Sequence, residues 1–436
     1  MGPRLLLIWL ALLLLPVSPA AAASSPGPGP GQTRTRVDLI TIGPGDPLLT
    51  RAGHTALLVT EEHPDGRVTE TVYNYGDTDF SDPWIPVRFL FARLSFFASV
   101  TGDLYDTTLT YGKFQDRDMV RQPLALTQAQ AVALAAALAR DVDPRYREYD
   151  YHYLEQTCST KVRDRIDEVT GGQVQRQLSD LDPWTVRDYQ QLTFDGQPVT
   201  AVLGDLLFGR LHDRPITRYY AMLWPDRVSR YLSEVMVPDP EGGGGLVPLA
   251  GPPVLLAERG GPPRSQHRTQ VTWFVAAAVG LWGLLGGLVL VGSRRARREP
   301  SGRRLAALWL VSWSLPAGLL GLVMLVLQLS STVPELRSNE LLLSLPPTDL
   351  LLSGLAVQWW RKGLRTPRWL RGYAAARLGV VALAVGARAI GVLVQDPWVV
   401  PVASLGCAAG LWWGIRRFGQ LQARSSKPPQ PQASAG

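Results

Sequence analysis

The chain has 436 residues, enough for more than one domain, with 46% hydrophobic residues and a formal net charge of +7. A basic balance raises nucleic-acid binding as a function class, but the arginine excess sits beside apolar runs near the C-terminus, which argues against it. The two cysteines, Cys158 and Cys407, lie in unlike surroundings and are not expected to pair, and the five histidines offer no ligand cluster, so no metal or other cofactor is expected.

In chain order, residues 1–23 carry Arg4, an apolar core, Pro16 and an alanine-rich end. This is the layout of a signal peptide with cleavage near Ala22 or Ala23, the alternative being an uncleaved anchor; either way the next segment is exported. Residues 24–36, rich in Pro and Gly, read as a linker. An exported domain is expected over 37–237. It opens with strands over 37–42, 53–60 and 68–76, the last two joined by a turn at Pro64 and Asp65. That hairpin brings His54 close to Asn74 and Tyr75, with a register uncertain by a residue or more. His54 is thus a candidate base and Asn74 a candidate orienting partner. Taken alone, each has a plainer reading, as a hydrogen-bonded strand histidine and a strand-end asparagine.

The aromatic-rich residues 80–110 suit either core packing or an apolar lip near a bilayer. Thr127 and Gln130 form a capping box that opens a helix ending by Asp143 and Pro144.

The central stretch is 149–172. Tyr149, Tyr151 and Tyr153 alternate as in an extended segment, whereas Cys158, Val162, Ile166 and Val169 recur on one helix face that Gly171 and Gly172 terminate. Cys158 therefore stands at a helix N-terminus, where unpaired N–H groups and the helix dipole favour a thiolate and can hold an oxyanion. The plainer reading is a small buried hydrophobe. His152 is a competing candidate base, pointing away from the tyrosine face, and His212 is expected to be structural or exposed.

Residues 182–237 mix short helical and extended pieces that complete the domain or couple it to a membrane, and 238–270 read as a flexible tether. Five apolar spans are expected within 271–417, near 272–291, 305–327, 341–360, 373–394 and 399–415, the third interrupted by Pro346 and Pro347; a tail over 418–436 follows. Arg294, Arg295, Arg297, Arg298, Arg303 and Arg304 follow span one, Arg361, Lys362, Arg365, Arg368 and Arg371 follow span three, and Arg416 and Arg417 follow span five. The positive-inside rule then places these loops and the C-terminus in the cytoplasm, with the N-terminal domain outside. Arg388, inside span four, is either functional or a buried or snorkelling charge, and Cys407 is a packing residue.

Several motifs occur together and in order: Pro44, Gly45 and Asp46 before Gly53 and His54; the Tyr-Asn-Tyr-Gly run at 73–76 with Asp79 and Phe80; 157–164 around Cys158; 213–217; and 222–227. Together they resemble the Lnb family of bacterial lipoprotein N-acyltransferases over nearly the whole mature chain. The resemblance implies an α+β, circularly permuted papain-like (NlpC-type) exported domain followed by an α-helical membrane bundle of about five spans. It implies Cys158 as nucleophile and His54 as base; the catalytic part given to Asn74 rests on the hairpin geometry alone. The family usually has asparagine where this chain has Thr157. The implied partners are a membrane phospholipid as acyl donor and a diacylglyceryl lipoprotein as acceptor, at a bacterial inner membrane with the catalytic domain in the periplasm. A membrane-bound cysteine hydrolase, acting on phospholipid or cell-wall peptide, and a non-enzymatic receptor are the alternatives.

Overall fold

The computed structural model describes residues 31–79, 81–91, 94–261, 271–293, 296 and 298–425. The expected signal peptide, most of the linker, the end of the tether, Arg294, Arg295, Arg297 and most of the tail lie outside these residues.

The architecture is α+β: an N-terminal sheet domain is followed by long apolar helices. The sheet is antiparallel, in the order β6-β4-β3-β2-β1-β5-β9. Its strands are β1 (Arg34–Ile42), β2 (His54–Glu62), β3 (Val68–Asp77), β4 (Ser95–Val100), β5 (Met119–Pro123), β6 (Glu148–Asp150) and β9 (Val254–Ala257). β1 is buried on both faces, which suits its unbroken run from Val37 to Ile42. On one face Val37, Leu39, Leu57, Val59 and Tyr75 pack against α3 (Gln128–Asp141) and α4 (Cys158–Val169), through Leu134, Leu138, Val162 and Ile166. The other face, with Ile40, Ile42, Ala56, Leu58 and Val72, is covered by Leu104 of the short helix α2 (Leu104–Thr107) and by Tyr111 of the π-helical turn Thr108–Phe114.

Three expectations are corrected here. Residues 34–36 belong to β1 rather than to a linker. The segment expected as a tether is ordered: β7 (Met236–Pro238) pairs with β8 (Leu246–Pro248), and β9 completes the main sheet on β5, so the domain runs at least to Gly261. Extended backbone also stops at Tyr151, after which the Gln156 N–H closes a turn on the His152 carbonyl at 2.8 Å.

The second half contains α10 (Val271–Gly286, continued by the π-helical turn Gly287–Val291), α11 (Pro300–Ser330), α14 (Arg368–Ala389) and α15 (Val399–Ser425). These four are long and apolar enough to cross a membrane. Pro334–Leu343 and Pro347–Lys362 are apolar enough only as a pair, bent by 50° and broken at the two prolines, which makes a broken span or a re-entrant loop; its longest piece is α13 (Leu350–Lys362). Backbone left unpaired at such a break must be satisfied by protein. Arg377 and Ser404 both donate to the Ser344 carbonyl, at 2.6 and 2.5 Å, while Arg377 pairs with Asp349. Arg377–Asp349 is therefore a buried charge pair between the apolar helices, and one the sequence reading missed. Arg388 lies in the last turn of α14, which stops at Ala389, and is 3.9 Å from Glu340. α15 also continues past the expected start of the tail. Gly280, Gly283 and Gly287 of α10 face Gly406, Gly410 and Gly414 of α15 with backbones in contact, and Cys407 packs in that seam.

The two halves are joined by polar contacts made by the connections after α11 and after α14. The Gly209 N–H donates to the Glu335 carbonyl (2.7 Å), Asn339 to the Leu206 carbonyl (2.7 Å), Gln395 to the Phe208 carbonyl (3.1 Å) and Ser331 to the Leu90 carbonyl (2.7 Å). Residues 182–237 and the aromatic-rich segment thus couple the sheet domain to the helices. In α1 (Ile85–Leu90) and just after it, Leu90 and Phe91 pack on Leu327, Val333 and Leu336.

Candidate active site

The register pairs Ala56 with Asn74, so His54 and Asn74 share one sheet face, two residues apart along the ladder. The Nε2 of His54 lies 3.0 Å from Asn74 Oδ1. The Asn74 amide is itself fixed, because its Nδ2 donates to the Thr101 hydroxyl. Oδ1 is therefore the acceptor, Nε2 carries the proton, and Nδ1 is left as the basic nitrogen. Thr101, just past β4, was missed by sequence reasoning; only the β3–β4 pairing brings it to Asn74.

Cys158 approaches from the opposite face and meets His54 at the end of the sheet. β3 is bulged between Asn74 and Asp77, and Gly76, at φ +90°, faces Cys158. The Thr157 side chain caps α4 in a reciprocal box with Thr160, so threonine does the capping that asparagine could also do at this position. The helix is seated by Ile166 and Val162 below, by the paired contacts of Arg165 to Asp141, and by Thr55 Oγ1, 3.0 Å from Ser159 Oγ.

Cys158 and His54 are within hydrogen-bonding reach, both partly exposed at the mouth of the site. Burial pushes the Cys158 thiol pKa up, but the His54 charge and hydrogen bond, a backbone N–H from Thr55 and the Ser159 hydroxyl outweigh it and bring it down to about 7. Burial lowers the His54 pKa, yet the Cys158 charge and its bonds to Cys158 and Asn74 leave it raised. The two shifts describe one event, a proton moved from sulfur to imidazole. Such an arrangement can supply a nucleophilic thiolate near neutral pH.

The other histidines are elsewhere. His152 stacks on Tyr153 and lies 3.8 Å from Glu335 at the junction with the helices, so it is not the partner of Cys158. His212 is buried, stacked on Phe208 and 2.9 Å from the Tyr153 hydroxyl; burial, with Arg187 and Arg214 nearby, holds its pKa well below the usual value, and it is structural. Beside Cys158, Phe96 stacks on Tyr151 at 4.1 Å within a cluster that includes Ile85, Phe89 and Leu94. A small cavity lined by Phe89, Tyr151, Tyr153 and Val333 continues it toward α11.

An α+β domain with a helix-terminal cysteine and a strand histidine, mounted on membrane-length helices, defines a membrane protein with an exported domain. Residues 32–192 match the family model of the Lnb N-terminal periplasmic domain, so over this part the chain is similar to that domain. The match spans His54, Asn74, Thr101 and Cys158. Comparison with curated proteins and with solved structures gave no match.

Proposed function

We propose that this protein transfers a fatty-acyl group from a membrane phospholipid, through a Cys158 thioester, to the α-amine of a lipoprotein's N-terminal lipidated cysteine. The observation that carries this reading is the Cys158/His54/Asn74 arrangement on a domain held against apolar helices. The Cys158 thiolate attacks the ester carbonyl carbon, and the oxyanion is held by N–H groups at the start of α4, which have no partner within the helix. Collapse breaks the ester C–O bond, and the His54 imidazolium gives its proton to the departing lysophospholipid alkoxide. The lipoprotein amine then attacks the thioester carbonyl, neutral His54 takes its proton, and the thiolate leaves as the amide forms. Asn74 keeps the imidazole ring in register throughout.

Two features support a lipid substrate. The apolar contacts run from Phe96 and Tyr151, beside the thiol, through Phe89 and Tyr153 to Val333 at the end of α11. A thioester there lies beside this apolar wall, on the side that faces the helices. The sheet domain also sits on the connections after α11 and α14, whereas the basic segments gather elsewhere, with Arg303 against Gly363 and Arg371 against Gly419. That agrees with a periplasmic site, a cytoplasmic C-terminus and an inner-membrane location.

The test is to incubate the purified full chain with acyl-labelled phospholipid and a diacylglyceryl lipopeptide. Label in the lipopeptide amide is the expected result. Label released only as free fatty acid identifies a phospholipase instead, and no reaction with either favours a receptor.

A further inference from the structure

Arg117 lies in the segment before β5 and is 1% exposed. Its Nε donates to the Gly43 carbonyl at 2.7 Å and its Nη1 to Gln115 Oε1 at 3.1 Å, while Nη2 is buried with no hydrogen-bond partner. Among the described residues no carboxylate lies within ion-pair distance of it; neighbouring Asp116 is 3.7 Å from Arg259 instead. The guanidinium stands over the Tyr111 ring, 5.4 Å from its centroid, and the same ring stacks on His54 at 5.8 Å. A buried charge without a counter-ion is costly and is seldom kept for packing alone.

Resting on the acyl-transfer reading, we propose that Arg117 is a positioning residue whose uncompensated charge sets the proton balance of Cys158 and His54, favouring the thiolate before acylation and a neutral imidazole after it. Before acylation, Arg117 and the thiolate attract each other across the site. Acylation removes the thiolate, which is the main influence raising the His54 pKa. Burial and Arg117 then both press His54 toward its neutral form, opposed by Asn74. The incoming amine needs that neutral base, because an α-amine is largely protonated below about pH 7.7. Of the other groups facing the pair, burial raises the pKa values of Tyr111, Tyr149 and Tyr151 and keeps them protonated, and Asp77, at the bulged end of β3, is the acidic side chain that acts on Tyr111.

The experiment measures, on the full-length protein in lipid nanodiscs, the pH dependence of Cys158 alkylation by iodoacetamide, read by peptide mass. Aminolysis of the Cys158 thioester by a diacylglyceryl lipopeptide is followed in parallel. Arg117→Gln is expected to move both midpoints up by about 0.5–1 pH unit, and Arg117→Lys to restore them. Superimposable profiles for wild type and Arg117→Gln overturn the proposal, as does a loss of activity common to Gln and Lys without any shift. The alkylation arm needs no acyl substrate. A shift there, in a protein that never forms the amide, leaves Arg117 as the setter of the pair and sinks the acyl-transfer reading alone.

Discussion

At Nε2 of His54, the proton is placed by a relay of two side chains, Asn74 Oδ1 accepting from the ring and the Thr101 hydroxyl holding the amide. That tautomer leaves Nδ1 unprotonated and able to act as a base. His54→Ala removes the largest influence that lowers the Cys158 pKa. Its alkylation midpoint is therefore expected to rise from about 7 toward the ordinary thiol range, with acyl transfer falling by about 10²–10⁴-fold. Asn74→Ala and Thr101→Val leave both reacting atoms in place and are expected to give smaller losses, Asn74→Ala the larger. Steady-state rates for the two variants and their double mutant check this, and a double mutant no worse than Asn74→Ala is the signature of one relay. Cys158 and His54 were legible in the sequence because each stands at the start of an element, marked by Gly171–Gly172 after the helix and by Gly53 before the strand. Thr101 and Arg117 were not, since their partners are 27 and 74 residues away in the chain and no local period marks them.

The element that matters most is α4. Its N-terminus must reach the sheet end without distorting the helix, and it does so through the Thr157 cap, the β3 bulge and Gly76. Thr157→Ala is expected to cost about 1 kcal/mol of stability, and Thr157→Asn much less, because asparagine caps as well. Urea melts of the two variants decide between a capping role and a chemical one; full stability with lost activity in Thr157→Ala would favour chemistry. At Gly76 the backbone forbids an ordinary side chain, and Gly76→Val is expected to cost about 1–3 kcal/mol while pushing toward Cys158, so that alkylation slows as well. The helix and the hairpin were readable from period and turn residues. β9 was not: it is short, follows a Gly-Pro-Pro run and pairs with β5 across an irregularity at Met119, so nothing local distinguishes it from a tether.

At the scale of the whole molecule, the helix bundle is joined to the sheet domain by carbonyl-directed contacts to residues 206–209, and the buried Arg187 holds that segment from within the domain, binding Asp213 at 2.6 Å and the Phe208 carbonyl at 2.8 Å. The site therefore has a fixed height and aspect relative to the helices, as the proposed transfer at a lipid surface requires. Four of the five expected apolar spans were legible from hydropathy as long helices, whereas the Arg377–Asp349 pair was hidden because its acid and base lie 28 residues apart on different helices. Gly410→Leu would force side chain into the α10 backbone. It is expected to disrupt the bundle and lower the recovery of folded protein from detergent, with the alkylation midpoint of whatever folds unchanged. The most direct test is intact mass spectrometry of the full chain after brief exposure to phospholipid without acceptor, quenched at acid pH. A mass increase of one fatty-acyl chain, mapped to Cys158 and discharged when the lipopeptide is added, is the predicted result. An adduct that maps elsewhere, or the same amide product from Cys158→Ala with no adduct at all, would contradict it.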